Sequence, residues 1–499
     1  MKCQRSIAAT TLFLLFFSLL KTAATQAQTL PPGAGSPAEY PGGAERTIPW
    51  YIAHASFPMP SVKAPRFPDR TFTIRDYGAL GDGQALNTAA FGKAIQACSA
   101  SGGGHVIVPP GLWLTGPILL QDNVDLHLER GALVLFTPDH SQYPLIAVSN
   151  GNNKIITSPI YGHDLRNIAI TGEGILDGGG DSWRPVKKNK TTAAQWKALL
   201  DSGGSLSADG SIWWPGKTAT DNGGRDLRPY MVYLVNCREI LLENVTIRNS
   251  PKFVFYPNKC RDLTMNHVNI FNEWWAQNGD GIDISACSNV VIYRCTVSAG
   301  DDGICMKSSG NRPAGGANLE NVLIAGCTVY HGHGGFVIGS NTDGGMRNIE
   351  VADCNFIGTD IGLRFKSNMG RGGLVQNIFI HDIFLQDITG EAILFDTYYE
   401  DLPAGAVKDS SGPKAVDKIP EFRDFQISRV YCKGAKTAIA ITGLPQMPVN
   451  RISFDNVVIS SEKGLVATQA KGIKLDKVKL ITRHQPAIEA DRTAEIVEK

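Results

Sequence analysis

An excess of charge of either sign is the first thing this 499-residue chain lacks. Its 48 Lys and Arg stand against 47 Asp and Glu, a formal net charge of +1. That balance argues against the broad basic surface that nucleic-acid binding needs, so any attraction for an anion must be local. A second long apolar run is missing as well. Met1 to about Ala27 reads as a secretory leader, with Lys2 and Arg5, then an apolar stretch over 7–20, then Thr25-Gln26-Ala27 as a small-residue cleavage site. That stretch is short for a membrane span, and no other segment offers one. Cys3, the only early cysteine, precedes the apolar stretch, which argues against a lipid anchor at the cleavage site. Without Lys2, Arg5 and Lys21 the balance becomes 45 basic to 47 acidic residues. The chain is therefore expected in the periplasm or the medium.

Long helical patterns are scarce too, which speaks against a helical bundle and against strand–helix–strand units. An even cysteine set is also absent. Cys98, Cys237, Cys260, Cys287, Cys295, Cys305, Cys327, Cys354 and Cys432 follow the leader. An odd number in an exported chain leaves at least one unpaired. Cys295, Cys327 and Cys354 share one place in a repeat, so stacked buried thiols are expected rather than a disulfide framework.

What the chain has is glycine, 53 residues of it, and many short Val/Ile-rich runs. One pattern returns: a polar pair, apolar-x-apolar, two polar residues, apolar-x-apolar. It spans 238–247, 261–270, 288–297, 320–329, 347–356, 376–385, 423–432, 450–459 and 471–480, with an earlier copy starting at Arg166. Alternation marks each copy as a strand with one buried face. The first apolar positions, Ile240, Leu263, Val290, Val322 and Ile349, step by 23, 27, 32 and 27 residues. Such steps fit a solenoid of short strands, and we expect an all-β, right-handed parallel β-helix. Asn87 to Ala100 predicts an amphipathic helix, with Ala90, Phe91, Ala94, Ile95 and Cys98 on one face, that caps the open end. Residues 28–66, rich in Pro and Gly, read as an extended arm, and 67–499 as the solenoid. An insertion over about 176–230 interrupts the rhythm. It carries Trp183, Trp196, Trp213 and Trp214 and is a candidate for substrate contact.

Four polar clusters fall on successive coils: Asn278-Gly279-Asp280, Gly300-Asp301-Asp302, Gly332-His333-Gly334 and Arg364-Phe365-Lys366. Asp280 to Asp302 is 22 residues, and Asp302 to His333 and His333 to Arg364 are 31 each, so all four can stack on one wall. Glycosidic hydrolysis takes one protonated acid and one carboxylate base, and three close carboxylates cannot all ionise freely. Both Asp301 and Asp302 can serve one site only if the backbone turns there, which Gly300 and Gly303 permit. Arg364 and Lys366 share a strand face and suit a uronate carboxylate. Lys307 extends the basic patch. Trp274, Trp275, Tyr398 and Tyr399 are candidates for sugar stacking, against core packing.

With these motifs in this order, the sequence resembles glycoside hydrolase family 28, the pectin-degrading polygalacturonases, from about Phe72 to the last repeats. The resemblance implies a right-handed parallel β-helix, no metal or other cofactor, and inversion at the anomeric carbon. It implies Asp301 as general acid, Asp280 and Asp302 as the pair that activates water, and Asn278 as a positioning residue. It places His333 beside the acid and Arg364 and Lys366 on the uronate. Asn-Gly-Asp departs from the common Asn-Thr-Asp, and Phe365 stands where Ile is usual. Asn-Gly-Asp and the stretch from Gly334 to Ser340 resemble the bacterial exo-acting branch. The expected partner is a pectic polysaccharide or oligogalacturonide, met by a monomer. Endo cleavage, a rhamnogalacturonan-type galacturonide, a Ca²⁺-dependent pectate lyase whose Asp trio holds the ion, and a non-catalytic carbohydrate-binding β-helix remain open at this point.

Overall fold

The computed structural model describes residues 46–147, 154–215, 227–399 and 418–498. The leader and the arm as far as residue 45 lie outside them. The repeats stack as coils of a parallel β-helix. Two long sheets, of 21 and 12 strands among the described residues, run the length of the solenoid. Every pairing within them is parallel, and parallel crossovers take the right hand by strand twist. The expected positions stack one above another: Ile240, Leu263, Val290, Val322 and Ile349 are register partners in turn, followed by Ile378, Phe425, Ile452 and Ile473.

The polar pair that opens each repeat makes a corner. Its second residue holds the left-handed conformation in nine copies: Asn167, Glu239, Asp262, Asn289, Asn321, Asn348, Asn377, Asp424 and Arg451 all have φ between 54 and 59°. Asn and Asp tolerate that region best, which explains their prevalence there. The side chains also bond coil to coil: Asn289 Nδ2 donates to Asp262 at 3.0 Å, Asn321 to Asn289 at 3.3 Å, Asn348 to Asn321 at 3.0 Å and Asn377 to Asn348 at 3.3 Å. Inward side chains form the core. Late in the chain Phe365, Phe395 and Phe425 meet with ring centroids 4.5, 5.0 and 5.1 Å apart. The nine cysteines of the described residues are all buried and unpaired.

The helix Thr88–Ala100 buries Ala90, Phe91, Ala94, Ile95 and Cys98 over the first coils, as its periodicity predicts. No described helix is long and apolar enough to cross a membrane. The described part of the arm is not wholly extended. It contains the helix Ile48–Ala53, whose Tyr51 packs on Val291, Tyr293, Leu323, Ala325 and Ala352. Tyr51 and Arg46 both donate to Asp353, at 2.6 and 2.7 Å. The arm thus covers outward positions of the long sheet that are apolar at Val291 and Leu323.

The insertion builds its own small body: the antiparallel strands Val186–Lys187, Ser205–Leu206 and Ile212–Trp214, and the helix Ala193–Asp201 with a Thr192/Gln195 capping box. Trp196 and Trp213 are buried in it and Trp183 is buried against Tyr143, Ile156 and the His140 ring outside it, so three of its four tryptophans serve packing rather than sugar contact.

Candidate active site

The site forms where short strands turn into the 12-stranded sheet. Asn269–Phe271, Thr296–Ser298 and Thr328–Tyr330 each end in a turn that leads into Ile282–Ser285, Asp302–Lys307 and Gly334–Ile338. The next coil supplies Leu363–Lys366. The four clusters therefore lie on four neighbouring coils.

Glycine makes this crowding possible. A Cβ on Gly300 would meet the backbone oxygens of Ala276 and Glu273 at 2.4 and 2.7 Å, and one on Gly334 would meet the Arg364 side chain at 3.2 Å. Without side chains at these two positions, the loop over 272–279 packs directly on Gly300, and Arg364 reaches across Gly334 to Asp302.

One oxygen from each of Asp280, Asp301 and Asp302 lies within 4.8 Å of the others. Asp301 precedes the strand and is partly exposed, whereas Asp302 begins it and is buried. The backbone N–H of Asp302 donates to Asp301 Oδ1 at 2.9 Å. Arg364 Nη1 donates to one oxygen of Asp302 at 3.0 Å, and Lys366 Nζ to the other at 2.8 Å. Burial alone would raise this carboxyl, but Lys366, Arg364 and Lys307 outweigh it and hold Asp302 well below the usual carboxylate range. Asp280 is the opposite case: burial, then Asp283 and Asp301, push it well up, and Lys307 offsets this only in part. Its Oδ1 has no hydrogen-bond partner among the described residues, nor has the buried Nε of Arg364.

His333 Nδ1 stands 3.3 Å from Asp301 Oδ1, with Asp360 Oδ2 3.8 Å from its other ring nitrogen. The hydrogen bond to Asp301 raises the His333 pKa above its ordinary value. Asn278 is in the left-handed region, and its Oδ1 accepts from Arg228 Nη2 at 2.9 Å. The ring of Tyr399 lies near both cations of the fourth cluster, 5.6 Å from the Arg364 guanidinium and 5.3 Å from Lys366 Nζ. For its neighbour Tyr398, the backbone N–H donates to Asp396.

Lys307 does not extend an open basic patch. Only 13% exposed, its ammonium is 3.0 Å from Asp283 and 3.6 Å from Asp280, where it neutralises buried carboxylates. Asp283 is the residue sequence reasoning missed. It is wholly buried at the site, and burial pushes it up to about 6 against the pull of Lys307. The signal was its place three residues after Asp280, across the bend at Gly281. Arg228 and Arg184 were missed as well. From the insertion's two ends they grip the loop over 272–279: Arg228 donates to Gln277 O at 2.8 Å, and Arg184 to Glu273 at 3.0 Å. Trp274 and Trp275, on that loop, are 62% and 57% exposed, which settles against core packing.

The sequence pattern of glycosyl hydrolases family 28 matches residues 187–479. A probable polygalacturonase of Vitis vinifera is 28% identical over 403 residues, covering 78% of this chain and 74% of its own. An exo-poly-alpha-D-galacturonosidase of Dickeya chrysanthemi is 26% identical over 422 residues, covering 78% and 67%. The crystal structure of a hyperthermoactive exopolygalacturonase from Thermotoga maritima superposes with a TM-score of 0.70 at 27% identity, covering 85% of this chain and 95% of the other.

Proposed function

The chain belongs to glycosyl hydrolases family 28, and we propose that it hydrolyses α-1,4-galacturonosyl linkages in pectin, releasing galacturonate from the chain end. One arrangement carries this: three carboxylates within 4.8 Å, one of them clamped by Arg364 and Lys366. Asp301, the most exposed of the three, donates its proton to the glycosidic oxygen. His333 shares a proton with Asp301 across their 3.3 Å contact. Asp302, held ionised, accepts the proton of the attacking water, while the unpartnered Oδ1 of Asp280 takes that water's other hydrogen bond. The unpartnered Nε of Arg364 and the ammonium of Lys366 meet the carboxylate of the sugar on the leaving side. Asn278, held by Arg228, keeps the turn before Asp280 in place. The leader and a polymeric substrate both favour export, to the periplasm or the medium.

Stereochemistry is a point of tension. Inverting glycosidases commonly hold their two carboxyls roughly 6.5–9.5 Å apart to admit water. Here the oxygens approach within 4.8 Å. Inversion, implied by the family, then requires a water held by Asp280 and Asp302 together, beside the acid rather than between two distant groups. Both oxygens of Asp302 are engaged by cations, which leaves it poorly placed as a covalent nucleophile. Those same cations already compensate the charge of Asp302, which weighs against a Ca²⁺ ion held by the trio.

Three assays test the proposal. Asp301→Asn should cost about 10²-fold to 10⁴-fold in rate on polygalacturonate. Full activity in a chelator, with no ultraviolet absorbance from an unsaturated product, is expected of a hydrolase and excludes a lyase. Monomer should appear early while viscosity falls slowly; rapid viscosity loss with mixed oligomers would sink exo action.

A further inference from the structure

Between the insertion and the carboxylates lies a group of rings that no step above uses. Tyr230 stands at the C-terminal end of the insertion. Its ring is 5.2 Å from Phe253 and 4.4 Å from Tyr256, centroid to centroid. Tyr256 stacks on Tyr233 at 5.4 Å with 14° between planes. Tyr230, Phe253 and Tyr256 are only half-buried. Two cations flank the group. Lys252 Nζ is 5.4 Å from the Tyr230 centroid and 5.8 Å from that of Phe253. Lys307 Nζ is 5.2 Å from the Phe253 centroid.

The group's position is fixed by the coil. The N–H of Val254, next to Phe253, donates to the carbonyl of Asp280 at 2.9 Å. Lys307 touches both Phe253 and the Asp280 carboxylate, at 3.6 Å from the latter. Phe253 therefore adjoins the carboxylate trio, one coil toward the insertion. Arg364 and Lys366 stand on the opposite side of the trio, three coils further along the chain from Asp280. A sugar chain crossing the trio thus has a cationic pair at one end and this aromatic group at the other. Half-exposed rings offer a pyranose a flat apolar face, and a lysine beside them adds a point charge for a carboxylate.

We infer that Tyr230, Phe253 and Lys252 form the pocket that receives the galacturonate at the chain end, its ring against Phe253 and Tyr230 and its carboxylate toward Lys252. This rests on the proposed hydrolysis for its substrate class, and it adds the residues that hold the chain-end sugar.

Calorimetric titration with the two monosaccharides galacturonate and galactose tests it on the intact enzyme. Galacturonate should bind at least about tenfold more tightly than galactose, because only it offers a charge-assisted partner. Lys252→Met should weaken galacturonate about tenfold and leave galactose within about threefold of its wild-type affinity. Phe253→Leu keeps apolar volume but removes the ring face. It should weaken both sugars about tenfold and leave the preference intact. Wild-type affinity for galacturonate in Lys252→Met overturns the proposal, as does wild-type affinity for both sugars in Phe253→Leu. Lys252→Met alters a half-exposed side chain, so the test stays readable even if the Phe253 variant does not fold. Product analysis separates the two claims. A wild type that releases galacturonate but binds the monosaccharides without preference refutes the pocket alone. One that binds galacturonate but leaves polygalacturonate intact refutes the hydrolysis alone.

Discussion

Replacing Lys366 with methionine removes one of the two cations on Asp302 while keeping most of the side chain's volume. The ammonium lies 2.8 Å from Asp302 Oδ2, and both groups are buried, 8% and 2% exposed. At an effective dielectric of about 20 the gross attraction is about 6 kcal/mol. Breaking a buried pair typically costs about 3–5 kcal/mol, and Arg364 remains at 3.0 Å, so the lower end applies. A loss of about 3 kcal/mol lifts the Asp302 pKa by about two. The sign follows from the direction of the native shift. Asp302 is depressed, so its pairing stabilises the fold above the unfolded carboxylate pKa and loses that contribution as pH falls through the folded one. The variant should accordingly melt lower at neutral pH. It should also need a higher pH before its base ionises, so the acidic limb of kcat against pH should move up by about two pH units. A pH–rate series on polygalacturonate, read as reducing ends, checks this. An acidic limb that stays where the wild type has it would refute the assignment of Asp302 as the base.

Three further outcomes follow from the same geometry. Burial would lower His381, but its bonds to Asp382 and Glu350 raise it to about 9, so its contribution is complete below about pH 6.5 and fades as pH rises through about 9; His381→Asn should flatten the alkaline fall in melting temperature. Arg228→Ala strips donors from Pro251 O, Gln277 O and Asn278 Oδ1 and should cost roughly 2–4 kcal/mol in denaturant unfolding, with Arg228→Lys recovering little because one ammonium does not reproduce the guanidinium fork. The nine thiols from Cys98 to Cys432 should react with a thiol reagent in denaturant and essentially none before unfolding, since all nine are buried; fewer than nine would reveal a disulfide.

Much of the architecture was legible because a β-helix writes each coil into the sequence locally. The spacing of Ile240, Leu263, Val290, Val322 and Ile349 is that of register partners, since one strand per coil must present its apolar residue at the same height. The polar pairs between them read as polarity alone. Their conformational meaning, a left-handed corner with a side-chain ladder, became visible only in three dimensions. The spacings of the four clusters likewise put Asp280, Asp301, Asp302, His333, Arg364 and Lys366 on adjacent coils. The rest depended on what lies beside them. Lys307 looked like a cation for substrate until the buried Asp283 beside it came into view. Arg228 is remote from Asn278 in sequence, and no local pattern marks a hydrogen bond across that distance. Trp183, Trp196 and Trp213 resembled sugar platforms, yet an insertion needs a core of its own, to which Trp196 and Trp213 belong, and an anchor outside it, which Trp183 makes on Tyr143 and Ile156. The arm's helix at Ile48–Ala53 forms against a sheet face that its own residues do not specify.

The most direct measurement follows the first galacturonate released from polygalacturonate by proton NMR, within the time before its anomers equilibrate. The proposed chemistry predicts a free monomer as first product, in the β configuration, from the wild type and not from Asp301→Asn. An α-configured monomer would contradict the single displacement by water. An unsaturated product would contradict hydrolysis itself.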